Sequence, residues 1–390
     1  MPFAAALSTT TQTSRALDEV CQEALAGLKE SPDLALFFFS PHHQRSAGQM
    51  MEILPDRLKA RCLIGCPGVA IVGGDQEIEG EPAMSLWLAR WPQRVELESF
   101  HLTLEQTSEG YSLLGWPDGL ADANPSRSVI LLLGDPFTFP TDNFLDQINE
   151  THAGIKAMGG MASAAQGPGQ NRLLVGDKIV KEGAVGVLLK GPAGIRSIVS
   201  QGCRPIGRPL VITKAQENII LELSGRPPLF HLQQLWQELK PEDQQLFQHG
   251  LHVGRVINEY QDKFQRGDFL VRNVLGVDQT SGALAITDLI RVGQTIQFHV
   301  RDAATADEDL HALLQMDLAA HEKRPAGALL FTCNGRGTKL FGEPHHDARA
   351  IRQEIGPIPL AGFFAAGELG PVGGKNFIHG FTASAVLFEE

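Results

Sequence analysis

Apolar residues recur at steps of three and four near the start of the chain. Ala16, Leu17, Val20, Cys21, Ala24, Leu25 and Leu28 form one stripe, which predicts a helix with Thr13 or Ser14 at its cap. After Ser31-Pro32-Asp33 the period breaks into the continuous apolar run Leu34 to Phe39, the pattern of a strand buried on both faces. A second helix is expected over Gln49 to Lys59, followed by the apolar stretch from Arg61 to Cys66.

That pattern returns twice. The run Val129 to Leu133 precedes a helix with Phe144, Leu145, Ile148, His152 and Ile155 on one stripe, and the segment closes in Gly159-Gly160. Near the C-terminus, Ala328 to Phe331 precedes a helix with Ala348, Ile351 and Ile355, stopped by Gly356-Pro357 and followed by Pro359 to Phe364. From run to glycine the distances are alike: Leu34 to Gly65 is 31 residues, Ile130 to Gly159 is 29, and Leu329 to Gly362 is 33. Each segment ends in a further apolar strand, at Ser85 to Ala89, Ala184 to Leu189 and Thr382 to Phe388. A strand–helix–glycine turn–strand pair used three times accounts for this spacing.

Between the second and third segments the chain changes character. Leu210 to Thr213 and Asn218 to Leu223 flank the polar turn Lys214 to Glu217, a hairpin signature, and Pro227-Pro228 opens a helix carrying Leu232, Leu235, Trp236 and Leu239. A meander is expected next, from Phe269 to Val277, through Ala283 to Ile290, to Thr295 to Val300. Thr305-x-x-Glu308 reads as a capping box for the helix after it. The boundary between halves is expected near Gly207 to Pro209, giving domains 1–207 and 208–390. The expected class is α/β (α+β), two related halves with mixed and antiparallel sheets flanked by helices. Because the repeated segments lie on both sides of the meander, the two halves are expected to share one core.

Composition narrows the function. At 390 residues, 43% hydrophobic and 20% charged, the chain has the profile of a soluble globular protein of two or three domains. The net charge of −12 argues against nucleic acid, which requires a basic footprint. No apolar run approaches the ~20 residues that cross a bilayer, and the start of the chain has no signal-peptide pattern. Five scattered cysteines, at 21, 62, 66, 203 and 333, suggest free thiols in a reducing compartment, hence the cytoplasm.

Three stretches carry a family resemblance. Ala328 to Gly337 contains Cys333-Asn334-Gly335-Arg336-Gly337. Ile358 to Pro371 contains Gly362 and Gly367-Glu368. Phe377 to Ser384 contains His379 and Thr382. Together they resemble the C-terminal domain of the FIST family, as do Phe269 to Asn273 with Arg272 and Phe298 to Asp302 with Arg301. Leu63 to Cys66 and Ser200 to Gly207 resemble the family's N-terminal domain, with one departure, Pro67-Gly68 in place of a small hydroxyl residue. The resemblance covers nearly the whole chain. It implies an intracellular sensory protein that binds a small ligand, amino acids being the usual suggestion, and signals to a protein partner. No segment resembles the F-box of eukaryotic members.

The residues have their own chemistry beside that resemblance. Cys333 to Gly337 leaves the end of an apolar strand, where α/β sheets place ligands, and its glycines allow close backbone approach. Arg336 suits a carboxylate fork, and Glu368 suits an ammonium. With Cys333, Asn334, Gly362, His379, Thr382, Arg272 and Arg301 they make up the expected ligand site. Structural roles stand beside these: a solvated turn for Arg336, a surface ion pair for Glu368, a satisfied strand histidine for His379, ion pairs for Arg272 and Arg301. No cofactor or metal is expected. Dinucleotide and P-loop glycine patterns and a nucleophile elbow are missing, and Cys62 and Cys66 lack the second pair a zinc site needs. Two alternatives remain: an enzyme with Cys333 as nucleophile and His379 as base, and a scaffold that binds only proteins.

Overall fold

The computed structural model describes every residue except 1, 29, 108, 109, 192, 193, 262, 265 and 266. It divides into two compact bodies, residues 1–200 with 310–390, and residues 201–309.

The larger body is the threefold repeat. In each repeat a central strand runs through a helix to a parallel neighbour: Leu34–Phe39 to Cys62–Pro67, Ser128–Gly134 to Lys156–Met161, and Pro325–Cys333 to Leu360–Ala365. A closing strand then returns antiparallel to the central one, at Met84–Ala89, Ala184–Lys190 and Ala383–Glu389. The spaced glycines occupy one register position, with Gly65 opposite Phe37, Gly159 opposite Leu132 and Gly362 opposite Leu330. A Cβ there would lie 2.4, 1.9 and 1.8 Å from the opposite carbonyl oxygen, closer than any side chain tolerates. The glycine spacing in the sequence is therefore the spacing of a close strand approach.

Between its glycine strand and closing strand each repeat also sends out a hairpin, and none of these stays in its own sheet. Ala70–Gly73 and Gln76–Glu79 of the first repeat join the third sheet, where Val72 pairs with Gly362. Leu173–Val175 and Lys178–Val180 of the second join the first sheet, where Leu174 pairs with Gly65. Glu368–Val372 and Lys375–His379 of the third join the second sheet, where Leu369 pairs with Gly159. Each glycine thus faces an apolar residue borrowed from another repeat. The apolar pattern did not reveal the hairpins, because their strands are short and partly polar.

Alternation along the central strands then fills two layers. Leu34, Leu36 and Phe38, Val129, Leu131 and Leu133, and Leu329 and Phe331 share one core among the sheets. The alternate residues face helices: Phe37 and Phe39 meet Thr13–Leu28 and Ala47–Leu58, Ile130 and Leu132 meet Thr141–Thr151, and Ala328 and Leu330 meet His346–Ile355 and Leu310 and Leu314. Burial on both faces is why these runs are continuously apolar. The α+β class, with mixed and antiparallel sheets flanked by helices, is the one the sequence pattern implied.

The smaller body is a closed six-stranded barrel, and here the expectations need correction. Strands Cys203–Gln216, Ile219–Leu223, Leu284–Ile286, Phe269–Val277, Leu251–Val256 and Thr295–Arg301 follow one another around it. The expected meander is broken, because Leu251–Val256 lies between Phe269–Val277 and Thr295–Arg301. The hairpin turn sits at Glu217-Asn218, beyond the expected one, with Glu217 at φ 52°. Asp302 caps the helix Ala303–Ala320: its carboxylate accepts from Ala304 N and Thr305 Oγ1, so Thr305 donates to the cap instead of forming it. The expected boundary near Gly207 falls inside the strand Cys203–Gln216.

The glycine constraint predicts opposite outcomes for two alanine substitutions. Gly362→Ala forces paired strands apart and costs on the order of 3 kcal/mol. Gly48→Ala, in the helix Ala47–Leu58 with no atom near the added methyl, gains about 0.5–1 kcal/mol. Denaturant midpoints measure both; equal and small effects contradict the assignment of Gly362.

Candidate functional site

The central strands end in three equivalent polar residues. Ser40 N donates to Ala83 O (2.9 Å), Asp135 N to Gly183 O (2.8 Å) and Cys333 N to Thr382 O (3.0 Å). In the first repeat Ser40 Oγ accepts from Ala83 N at 3.0 Å. In the second the buried Asp135 accepts from Asn171 Nδ2 and Thr138 Oγ1, both at 2.7 Å. The third carries the residues singled out from the sequence. Ser40, Asp135 and Asn171 were missed, although a polar residue closing each apolar run was a visible signal.

Cys333 is half-buried, whereas the other four cysteines are buried. Gly335 N donates to its sulfur at 3.4 Å. Asn334 holds the turn against the neighbouring strand, its backbone N–H donating to Ala365 O at 3.1 Å. Glu368 is fully buried; its Oε2 accepts from Thr382 Oγ1 (2.7 Å) and Thr382 N (3.2 Å). Its Oε1 is sealed from solvent and receives no hydrogen bond from any described nitrogen or oxygen donor. Burial pushes this carboxyl up to about 8, against the Thr382 bonds, the Arg336 charge and the Cys333 thiol, which favour ionisation. His379 sits in register with Glu368 and donates from Nε2 to Gly370 O at 2.9 Å, as a satisfied strand histidine does.

Arg336 has a different role from the one its spacing suggested. It is completely buried and forks onto Asp347, Nε to Oδ2 and Nη2 to Oδ1, both at 2.8 Å. Thr332 Oγ1 donates to the same carboxylate at 2.6 Å, and the Phe341 ring lies 5.2 Å from the guanidinium. Burial alone would raise the Asp347 carboxyl; the Arg336 charge and hydrogen bonds overcome it and hold the group well below the ordinary range. The fork expected to receive a ligand is therefore filled from within. Asp347 gave no signal in the sequence beyond its place at a helix start.

The borrowed first hairpin completes this corner. Glu77, buried, accepts from Ala348 N at 2.9 Å, and Glu79 accepts from Thr338 N (2.9 Å) and Thr338 Oγ1 (2.8 Å) beyond the glycine turn. Burial, and then the negative charge of Asp347, push Glu77 up to about 8. Two carboxyls whose pKa is raised by burial, Glu77 and Glu368, thus flank one buried ion pair.

The remaining expected site residues have other duties. Gly362 serves the strand approach described above. Arg272 and Arg301 belong to the barrel body, on strands that are not neighbours. Arg272 Nε lies 3.5 Å from Asp288 Oδ2, a carboxylate shared with Arg255 at 2.8 Å. Arg301 stands opposite Cys203, and its charge adds to the burial that lowers His252 to about 4. Among the described residues no cluster of His, Cys, Asp and Glu is arranged to hold a metal ion.

Comparison with known proteins accounts for both parts of the chain. The family model described as the FIST N domain matches residues 33–226, and that of the FIST C domain matches 232–371. An uncharacterized protein of Mycobacterium tuberculosis is 41% identical over the full length of both chains. An uncharacterized protein of Mycobacterium bovis is 42% identical, over 94% of this chain and 92% of its own.

The two raised carboxyls set a pH dependence. Between the ordinary value of 4.5 and about 8 the folded protein binds more protons at these sites than the unfolded chain does. Stability conferred by the protonated carboxyls is therefore lost as pH rises through that window. Glu368→Gln removes one of the two groups, so its melting temperature falls less steeply over the same range. A slope identical to wild type shows that Glu368 does not titrate as assigned.

Proposed function

The chain belongs to the FIST family, and from that premise we propose that it is a sensory protein that binds a small molecule at the strand ends around Cys333 and Glu368 and signals to a protein partner. FIST domains are associated with signal-transduction sensing. No described helix is long and apolar enough to cross a membrane, which fits a sensor that meets its ligand in the cytoplasm.

Glu368 is the observation that carries this reading. A fully buried carboxyl with one unmatched oxygen is costly to a fold and is the mark of a site built for something else to meet it. Half-buried Cys333 stands beside it and offers the way in. The matching ligand is a cationic donor, such as the ammonium of an amino acid, whose charge returns Glu368 to the carboxylate so that Oε1 accepts from it. Arg336 does not take the other end of that ligand; it positions the turn through Asp347. Asn334 and Thr382 hold the two walls.

Thiol labelling tests the site without knowledge of the ligand. Cys333 reacts first, because Cys21, raised to about 11, and Cys62 and Cys66, raised by burial, combine closed surroundings with protonated thiols. A binding amino acid slows that reaction, and Glu368→Gln removes the protection. If all five cysteines react alike and no amine-bearing compound changes the rate, the site is elsewhere. Multiple turnover of a compound, lost in Cys333→Ala, gives the enzyme reading instead.

A further inference from the structure

We infer that the free edge of the strand Phe3–Ser8 is a docking groove for an extended segment of a partner protein, one that carries a lysine or arginine. The groove is a cleft of about 540 Å³ in the larger body. It serves the protein partner that the sensory reading calls for, and it does not rest on the Cys333 site.

Phe3–Ser8 ends the first sheet and pairs on one side only, with Met84–Ala89. Arg90 N donates to Pro2 O at 2.7 Å, one step beyond the register pair Phe3 and Ala89. Antiparallel pairing alternates, so Ala4, Ala6 and Ser8 turn their backbone groups toward Met84–Ala89. Phe3, Ala5 and Leu7 turn theirs outward. Ala5 and Leu7 line the cleft, and no described residue bonds to their outward N–H or C=O. Two donors and two acceptors thus stand in a row along a half-buried edge, the arrangement that an added strand satisfies.

Both faces of this strand are already covered. Ala4 and Ala6 pack with the helix Thr13–Leu28, where a Cβ on Gly27 would lie 3.2 Å from the Ala4 Cβ. Phe3 belongs to the core among the sheets, and Ala5 and Leu7 pack against that core. Gly73 of the first hairpin lies so close that a Cβ there would be 2.7 Å from the Leu7 Cβ. The in-plane edge is what remains open, and it selects an extended backbone over any other shape. Residues 73–76 and 356–360 wall it in, which suits a single strand better than the sheet edge of a second copy.

Those walls choose the side chains of the occupant. Pro357, Ile358 and Leu360 offer apolar contact. Three charged residues line the cleft, and two of them, Asp75 and Arg352, pair with each other at 2.8 Å. The third, Glu23, is exposed and has no ion-pair partner among the described residues. One unmatched negative charge therefore faces the groove, and a lysine or arginine on the incoming segment answers it.

Selection of random heptapeptides displayed on phage against the full chain, then calorimetry on the selected peptides, tests the groove. The selected peptides are rich in β-branched residues, lack proline and carry a lysine or arginine. Hydrogen exchange at the Ala5 and Leu7 amides, fast in the free protein, slows when such a peptide binds. Ala5→Pro removes an outward donor and spares the pairing with Met84–Ala89, so it weakens the peptide about tenfold at an unchanged fold. Glu23→Lys, at an exposed helix position, weakens the same peptide about fivefold and favours its lysine-to-glutamate counterpart. This second variant carries the test if Ala5→Pro does not fold. Glu368→Gln leaves the affinity as it was, which separates failure here from failure of the sensory site. The proposal is overturned if no peptide is enriched above an unrelated control protein, or if the selected peptides bind Glu23→Lys like wild type. A dimer of the wild type that Ala5→Pro disperses makes a second copy the occupant and overturns it as well.

Discussion

Each sheet of the larger body is finished by a hairpin that another repeat supplies, and most of the rest of that body follows from this exchange. A glycine strand would otherwise stand at a sheet edge with its backbone groups unpaired, which is costly for a buried strand. The borrowed hairpin pairs with it and places Val72, Leu174 or Leu369 opposite the glycine. The exchange runs in a closed cycle, first repeat to third sheet, third to second, second to first. No repeat completes its own sheet, so the common core forms when all three are present.

The candidate site depends on the same arrangement. Cys333, Arg336 and Asp347 come from the third repeat, while Glu77 and Glu79, which hold the helix start and the glycine turn, come from the first. A buried ion pair by itself adds little stability, because desolvation cancels much of its attraction. Here the pair is fully hydrogen-bonded and fixes the geometry of the turn around Cys333. That leaves two buried carboxyls, Glu77 and Glu368, each matched on one oxygen only, and of these Glu368 is the one beside the half-buried Cys333.

Much of this was legible in the sequence. The runs Leu34–Phe39 and Val129–Leu133 announced doubly buried strands, and the glycine distances announced the repeat, because both record constraints local to a strand or a strand pair. Partnerships between distant segments left no such mark. Nothing near Arg336 indicates that Asp347 fills its fork, since a free guanidinium and a paired one have the same spelling. The borrowed hairpins were invisible for the same reason: their pairing partners lie more than a hundred residues away, as Val72 and Gly362 do. Five of the six barrel strands were found; Leu251–Val256 was missed, and the expected order was wrong because alternation fixes a strand's faces and not its neighbours.

The shared core is tested most directly by expressing residues 1–207 alone and together with 208–390. The fragment 208–390 keeps most of the barrel, so the informative readout is cooperative unfolding of 1–207. Residues 1–207 by themselves show no cooperative transition, because the strands that face their central core and receive the first hairpin are missing. A transition appears when 208–390 is supplied. A sharp, independent melt of 1–207 alone contradicts the account.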